Sequence, residues 1–141
     1  MSLVFWDTML FIYLIEEHPT LRPRVREIRS RMLERRDQLV TSALALGELL
    51  SGPSVRADAA VATRYRNAIA PPYCEVLPFT SETAEHFAEI RQDRTIQPAD
   101  AIQLACAAKA KVDLFLTHDR RLAKKTIPGI QFIADLNFDY L

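Results

Sequence analysis

The sequence predicts an α/β protein, a three-layer α/β/α sandwich around a largely parallel central sheet. Two observations carry this. Short apolar runs alternate with longer amphipathic ones from end to end, the pattern of strand–helix–strand units. The apolar runs are also nearly unbroken, as in LVFW (3–6) and LFL (114–116). A strand apolar on both sides belongs in a sheet covered by helices on both faces. The chain has 141 residues, 49% of them apolar, enough for one core, so a single domain over 1–141 is expected.

Taken in order, LVFWD (3–7) reads as a buried strand that ends in an acid. TMLFIYLIEE (8–17) is long enough to be a helix. Residues 19–36 are helical in period, with Leu21, Val25, Ile28 and Met32 on one stripe. QLVTS (38–42) is a short strand leading into ALALGELLSG, a helix stopped at Ser51, Gly52 and Pro53. Residues 54–70 read as one helix, broken by Pro71-Pro72, and CEVLPF (74–79) as a strand. Ser81 can cap a helix running to about Arg94. Pro98 opens an Ala-rich helix through about Lys111. VDLFLT (112–117) is a buried strand, DRRLAKK a short helix and IQFI (130–133) a last strand.

Composition excludes several classes. No apolar run approaches the ~20 residues that span a bilayer. The start, MSLVFWD, lacks the basic region of a signal peptide, so a cytoplasmic protein without a membrane partner is expected. Cys74 and Cys106 read as buried thiols, and no CxxC or Cys/His cluster suggests zinc. His18, His86 and His118 are scattered. The three glycines, 47, 52 and 129, form neither a GxGxxG nor a GxxxxGK[ST] loop, which argues against a nucleotide-binding protein.

Eighteen basic residues balance eighteen acidic ones, so the distribution of charge is more informative than its sum. Seven arginines fall between Arg22 and Arg36, among only Glu27 and Glu34; a solvated helix face is their ordinary account. Arg120, Arg121, Lys124 and Lys125 form a second cluster directly after Asp119. A basic patch can follow phosphates even in a neutral protein.

Four acids stand beside apolar runs: Asp7, Glu48, Asp100 and Asp119. Each has an ordinary explanation. Asp7 and Asp119 can cap the helices that follow them. Asp100 falls in the first turn after Pro98, where the helix dipole favours an acid by about 0.3–1 kcal/mol. Glu48 is the sole charge in ALALGELL, which reads as a core helix, so a long-range salt bridge is its plain account. Taken together they suggest more. In a parallel sheet, ligands bind beyond the carboxyl ends of the strands, and the order of elements brings all four acids toward that edge. Converging carboxylates repel, and a hard divalent cation such as Mg²⁺ or Mn²⁺ turns the repulsion into a binding site.

These residues carry a family resemblance. Asp7-Thr8 at the end of the first strand, Glu48 within LALGELLSG, the PADAIQLACAAKA block and the LTHDRRL block resemble a PIN-domain protein, specifically the VapC-type toxin ribonucleases of toxin–antitoxin pairs. The resemblance covers essentially the whole length. It implies that Asp7, Glu48, Asp100 and Asp119 are the four catalytic and metal-binding acids, with Thr8 and Thr117 as supporting hydroxyls. In this reading Asp7 and Asp119 ligate Mg²⁺ or Mn²⁺ directly, and Asp100 does so directly or through water. Glu48 holds a second ion or orients the attacking water, and Arg120 and Arg121 contact substrate phosphates. It further implies endonucleolytic cleavage of RNA, silencing by a cognate antitoxin protein, and a homodimer. Leu10, Ile12 and Tyr13 are candidates for contact with the antitoxin, or else for core packing. Two positions depart from the pattern: Met9 and His118 stand where Asn is frequent. A non-catalytic PIN-like module that binds RNA or protein is the alternative. A phosphoacceptor receiver domain is disfavoured, since only Asp7 follows the first strand and LVTS carries no acid.

Overall fold

The computed structural model describes residues 1–139; the last two positions of the expected 1–141 domain lie outside the described residues. The elements are β1 (Leu3–Trp6), α1 (Thr8–Ile15), α2 (Arg22–Arg35), β2 (Gln38–Ser42), α3 (Ala43–Leu50), α4 (Pro53–Ala57) and α5 (Ala59–Ala68). There follow β3 (Glu75–Leu77), α6 (Ser81–Ile90), α7 (Pro98–Ala110), β4 (Leu114–Leu116), a 3₁₀ turn (Leu122–Lys124) and β5 (Phe132–Ala134).

The five strands form one sheet in the order β3-β2-β1-β4-β5, and every neighbouring pair is parallel. Side chains alternate across the sheet as a pleated strand requires. Val4 and Trp6 of β1, Leu39 of β2, and Leu114 and Leu116 of β4 join a core with α1, α2 and α5. Phe5, Val40 and Phe115 point the other way, into a second core with α6 and α7. There the rings of Phe5 and Phe115 stack at 4.8 Å. Two cores on two faces explain why the strands are apolar throughout, and they give the three layers that the sequence predicts.

Several boundaries differ from the sequence reading. The single helix expected over 54–70 is two, because Asp58 adopts an extended backbone and its carboxylate accepts from Ala60 N at 3.0 Å. Asp competes for backbone amides and so favours a cap over a helix interior. Thr80, not Ser81, caps α6, in a reciprocal box with Thr83. That helix ends at Ile90 rather than near Arg94, and DRRLAKK supplies only a 3₁₀ turn. The expected strands at 74–79 and 112–117 shorten to three residues each, and the last strand begins at Phe132.

The arginines of α2 mostly serve the fold. Arg22 donates to Leu14 O, Arg24 to Leu136 O and Arg29 to Tyr73 O. Leu10 and Tyr13 are buried and Ile12 is partly buried, so these three pack in the core beneath α1. Cys74 and Cys106 are buried free thiols, as expected, and burial raises them to about 12 and about 11. No helix among the described residues is long and apolar enough to cross a membrane.

Candidate active site

The strand order has one reversal. From β1 the chain steps to β2 and β3 on one side, then crosses to β4 and β5 on the other. The carboxyl ends of β1 and β4 therefore lie side by side where the crossovers diverge, the place where open α/β sheets leave a crevice. Asp7 follows β1, and its N–H donates to Leu116 O, the last residue of β4, at 3.0 Å. Thr117 and Asp119 follow β4. The topology thus sets the first and fourth acids at one rim.

Hydrogen bonds fix both. The Thr117 hydroxyl, fully buried, donates to Asp7 Oδ2 at 2.8 Å and accepts from Asp119 N at 3.1 Å. Asp7 occupies the N-cap position of α1 with extended backbone, yet its side chain makes no capping hydrogen bond. Its carboxyl is raised above the ordinary value by burial first and by the Glu48 charge in addition. The Thr117 hydroxyl and the nearby amides of Thr8 and Met9 pull the other way. Asp119 does act as a cap: its Oδ1 accepts from Arg121 N at 2.8 Å and Leu122 N at 3.2 Å. The ordinary account of Asp119 is therefore present, and it engages one oxygen.

Glu48 corrects an expectation. Its helix is not apolar all round; α3 buries Ala45 and Leu49, while Gly47 and Glu48 are exposed. Among the described residues the ion pairs do not include Glu48. Its Oε1 instead accepts from the Thr8 hydroxyl at 2.9 Å. Gln103, in the middle of α7 and only 4% exposed, donates from Nε2 to Thr8 Oγ1 at 2.8 Å and reaches Glu48 Oε1 at 3.5 Å. Its Oε1 accepts from Ser42, whose hydroxyl oxygen also caps α3 by accepting from Ala45 N. Gln103 is the residue that sequence reasoning missed. The signal for it was a lone amide in the apolar run AIQLACAA, one turn after Asp100.

Asp100 lies in the first turn of α7, half-buried. Burial raises its carboxyl, and the charges of Asp7, Asp119 and Glu48 raise it further, in that order. The charges of the other three acids therefore all reach Asp100. Arg121 Nε approaches Asp119 Oδ1 at 4.0 Å, but its side chain is 94% exposed and such a pair is weak in water. Arg121 lines an open groove with Asp100 and Asp119, whereas Arg120 is exposed and outside that lining. His118 is exposed and meets the Tyr13 ring edge-on at 5.3 Å; the Tyr13 hydroxyl is raised by burial and then by Asp7. Met9 is exposed as well.

The donor set is all oxygen, like-charged and hydroxyl-supported, which is the chemistry of a hard divalent cation. Among the described residues, however, no three His, Cys, Asp or Glu side chains are drawn close enough to form a closed metal-binding group. The acids are spaced more openly than a closed metal-binding group requires.

The sheet and its rim carboxylates define an open parallel α/β domain, and likeness to known proteins narrows the class. The chain belongs to the PIN domain family, whose profile matches residues 4–127. It is similar to the ribonuclease VapC23 of Mycobacterium tuberculosis (strain CDC 1551 / Oshkosh), 28% identical over 127 residues, which cover 86% of this chain and 96% of the relative. Its fold resembles that in the crystal structure of VapBC2 from Rickettsia felis bound to a promoter DNA fragment. There the TM-score is 0.74 at 17% identity, covering 94% of this chain and 98% of the other. A toxin–antitoxin complex from Klebsiella pneumoniae matches with a TM-score of 0.65 at 20% identity, over 90% and 94% of the two chains.

Proposed function

We propose that this PIN-family chain is the endoribonuclease toxin of a toxin–antitoxin pair, dependent on Mg²⁺ or Mn²⁺. The reading is supported above all by Asp7 and Asp119 at the adjoining ends of β1 and β4, joined through Thr117, and by the charges of Asp7, Asp119 and Glu48 that reach Asp100. The likeness to a VapC ribonuclease and to structures of toxin–antitoxin complexes supports it further. Homodimer formation and a cytoplasmic site of action belong to the same reading.

Hydrolysis of a phosphodiester needs an oriented water, an in-line approach and compensation of charge on the phosphate. A bound Mg²⁺ or Mn²⁺ would lower the pKa of its water and offset that charge. Asp7, Asp100 and Asp119 would hold the ion, directly or through its waters, since Mg²⁺ needs only one or two protein carboxylates. Thr117 keeps the Asp7 carboxylate turned toward the rim, and Thr8 does the same for Glu48. Glu48, exposed and bonded through only one oxygen, can orient the attacking water. Arg121, which lines the groove beside Asp100 and Asp119, would contact a substrate phosphate.

A non-catalytic PIN-like module that binds RNA or protein is the second reading, and the open spacing of the acids favours it. Cleavage of single-stranded RNA by the purified protein separates the two. The nuclease reading expects cleavage with Mg²⁺ or Mn²⁺, loss in EDTA, recovery on adding the ion back, and a Tm raised by the ion. RNA left intact in both ions, by folded protein, would favour the binding module.

A further inference from the structure

The groove beside the acids is built unlike the rest of the rim. It has a volume of about 450 Å³, within the range of small-ligand pockets. Asp100 and Asp119 are part of its lining. Ile96 and Leu122, only 2% and 4% exposed, give it an apolar floor. Arg121 and Lys124 stand exposed along its edge. Two of its lining residues are fixed: Lys125 Nζ donates to Asp93 Oδ2 at 2.8 Å and Thr95 Oγ1 at 2.7 Å, and Thr95 Oγ1 donates to Asp93 Oδ1 at 2.6 Å. These bonds hold Asp93 ionised, down to about 2. They also tie the segment after the 3₁₀ turn to the loop before α7. Gln97 differs from these neighbours. It sits at the N-cap position of α7, yet its side chain makes no capping hydrogen bond, and it is exposed to the groove.

We propose that this groove seats the nucleotide adjoining the scissile phosphate, with its backbone along Arg121 and Lys124 and its base edge read by the Gln97 carboxamide. The inference rests on the ribonuclease reading and deepens it. The lining charges fit: two acids and two exposed cations share one groove. Lys125 is already satisfied by Asp93, so the groove offers two cations rather than three. An apolar floor suits the face of an unstacked base, and a carboxamide presents both a donor and an acceptor to its edge. Only a single strand exposes its bases this way, so the ligand is single-stranded RNA rather than a duplex.

The test uses the active protein and a pool of random-sequence single-stranded RNA. Cleavage efficiency, kcat/KM, is measured at rising KCl, and the cut ends are sequenced. Arg121→Gln and Lys124→Gln should each make the slope of log kcat/KM against log salt shallower, by about 0.7 for each phosphate no longer neutralised. Gln97→Ala should leave that slope unchanged and flatten the base preference next to the cut. Lys111→Gln is the control, at the opposite end of α7 and roughly 16 Å from Asp100 by helix rise. If the protein cuts RNA, but Arg121→Gln and Lys124→Gln match Lys111→Gln in slope, the groove is not the strand's path. An unchanged base preference in Gln97→Ala would overturn the reading role given to that side chain. If the wild type cuts no RNA at all, the ribonuclease reading itself falls, and this inference with it.

Discussion

The Thr8 hydroxyl donates to Glu48 Oε1 at 2.9 Å, joining the first turn of α1 to the last turn of α3. Behind it, Gln103 Nε2 donates to the same hydroxyl at 2.8 Å, so an amide in α7 holds a hydroxyl in α1 that holds a carboxylate in α3. Removing the hydroxyl should therefore free Glu48 from Thr8 and leave the buried amide only its 3.5 Å contact to Glu48 Oε1. Thr8→Val is expected to lose about 10–100-fold in activity or metal affinity, the usual cost of losing an orienting partner. It should also lose about 1 kcal/mol of stability, for the hydrogen bond the amide loses. Thr8→Ser, which keeps the oxygen, should retain most of both. A Mg²⁺ titration of cleavage rate, with urea unfolding of the same proteins, reads the two effects apart.

The acids should divide by what else they do. Asp7→Asn and Asp100→Asn should each abolish most cleavage while the ion-free protein is as stable as the wild type or more so, because a repelled, partly buried charge is removed. Asp119 also caps a turn, so Asp119→Ala should lose activity and about 0.5–2 kcal/mol of stability. Asp119→Asn, which can still accept from the Arg121 and Leu122 amides, should lose activity with less destabilisation. Full activity in a destabilised Asp100→Asn protein would reverse this assignment.

Stability of the ion-free protein should carry a pH signature. The Asp7 and Asp100 carboxyls lie above the ordinary value of 3.8 in the folded state. The folded state thus binds more protons than the unfolded one in the window that begins near 3.8 and extends upward. Their contribution is fully present below that window and is lost as pH rises through the folded values. The difference in Tm between Asp7→Asn and wild type should therefore grow in favour of the variant as pH rises from about 4. Adding Mg²⁺ should shrink it. A pH-independent difference in EDTA would contradict the repulsion that burial and Glu48 impose on Asp7.

The toxin role is tested in cells. Expression of the wild type alone should arrest growth, co-expression of its genomic neighbour should relieve the arrest, and Asp7→Asn should be harmless alone. A bidentate arginine from the inhibitor, set against the rim carboxylates, is the expected means of silencing. Normal growth with abundant soluble wild-type protein would remove the toxin assignment while leaving a PIN nuclease standing.

The sequence by itself determined the strands and the two-sided sheet, and it singled out four acids as candidates. Strict alternation places Phe5 opposite Val4 and Trp6 whatever the neighbours are, and an acid directly after LVFW must emerge at the strand's end. Local rules failed where two local preferences competed. Asp58 split a predicted helix because a capped terminus satisfied its carboxylate better than a helix interior, and Thr80 outdid Ser81 as a cap because Thr83 could answer it. Only the tertiary structure decided how the acids are held. Strand order set Asp7 beside Thr117, residues 110 apart in sequence, and helix packing set Gln103 against Thr8 and Glu48. Neither contact leaves a periodic trace, since hydrogen bonds across the sheet depend on which strand ends adjoin. Exposure was likewise undecided by pattern. Glu48 sits among leucines and alanines in sequence, but the packing of α3 through Ala45 and Leu49 turned it outward, where it is exposed.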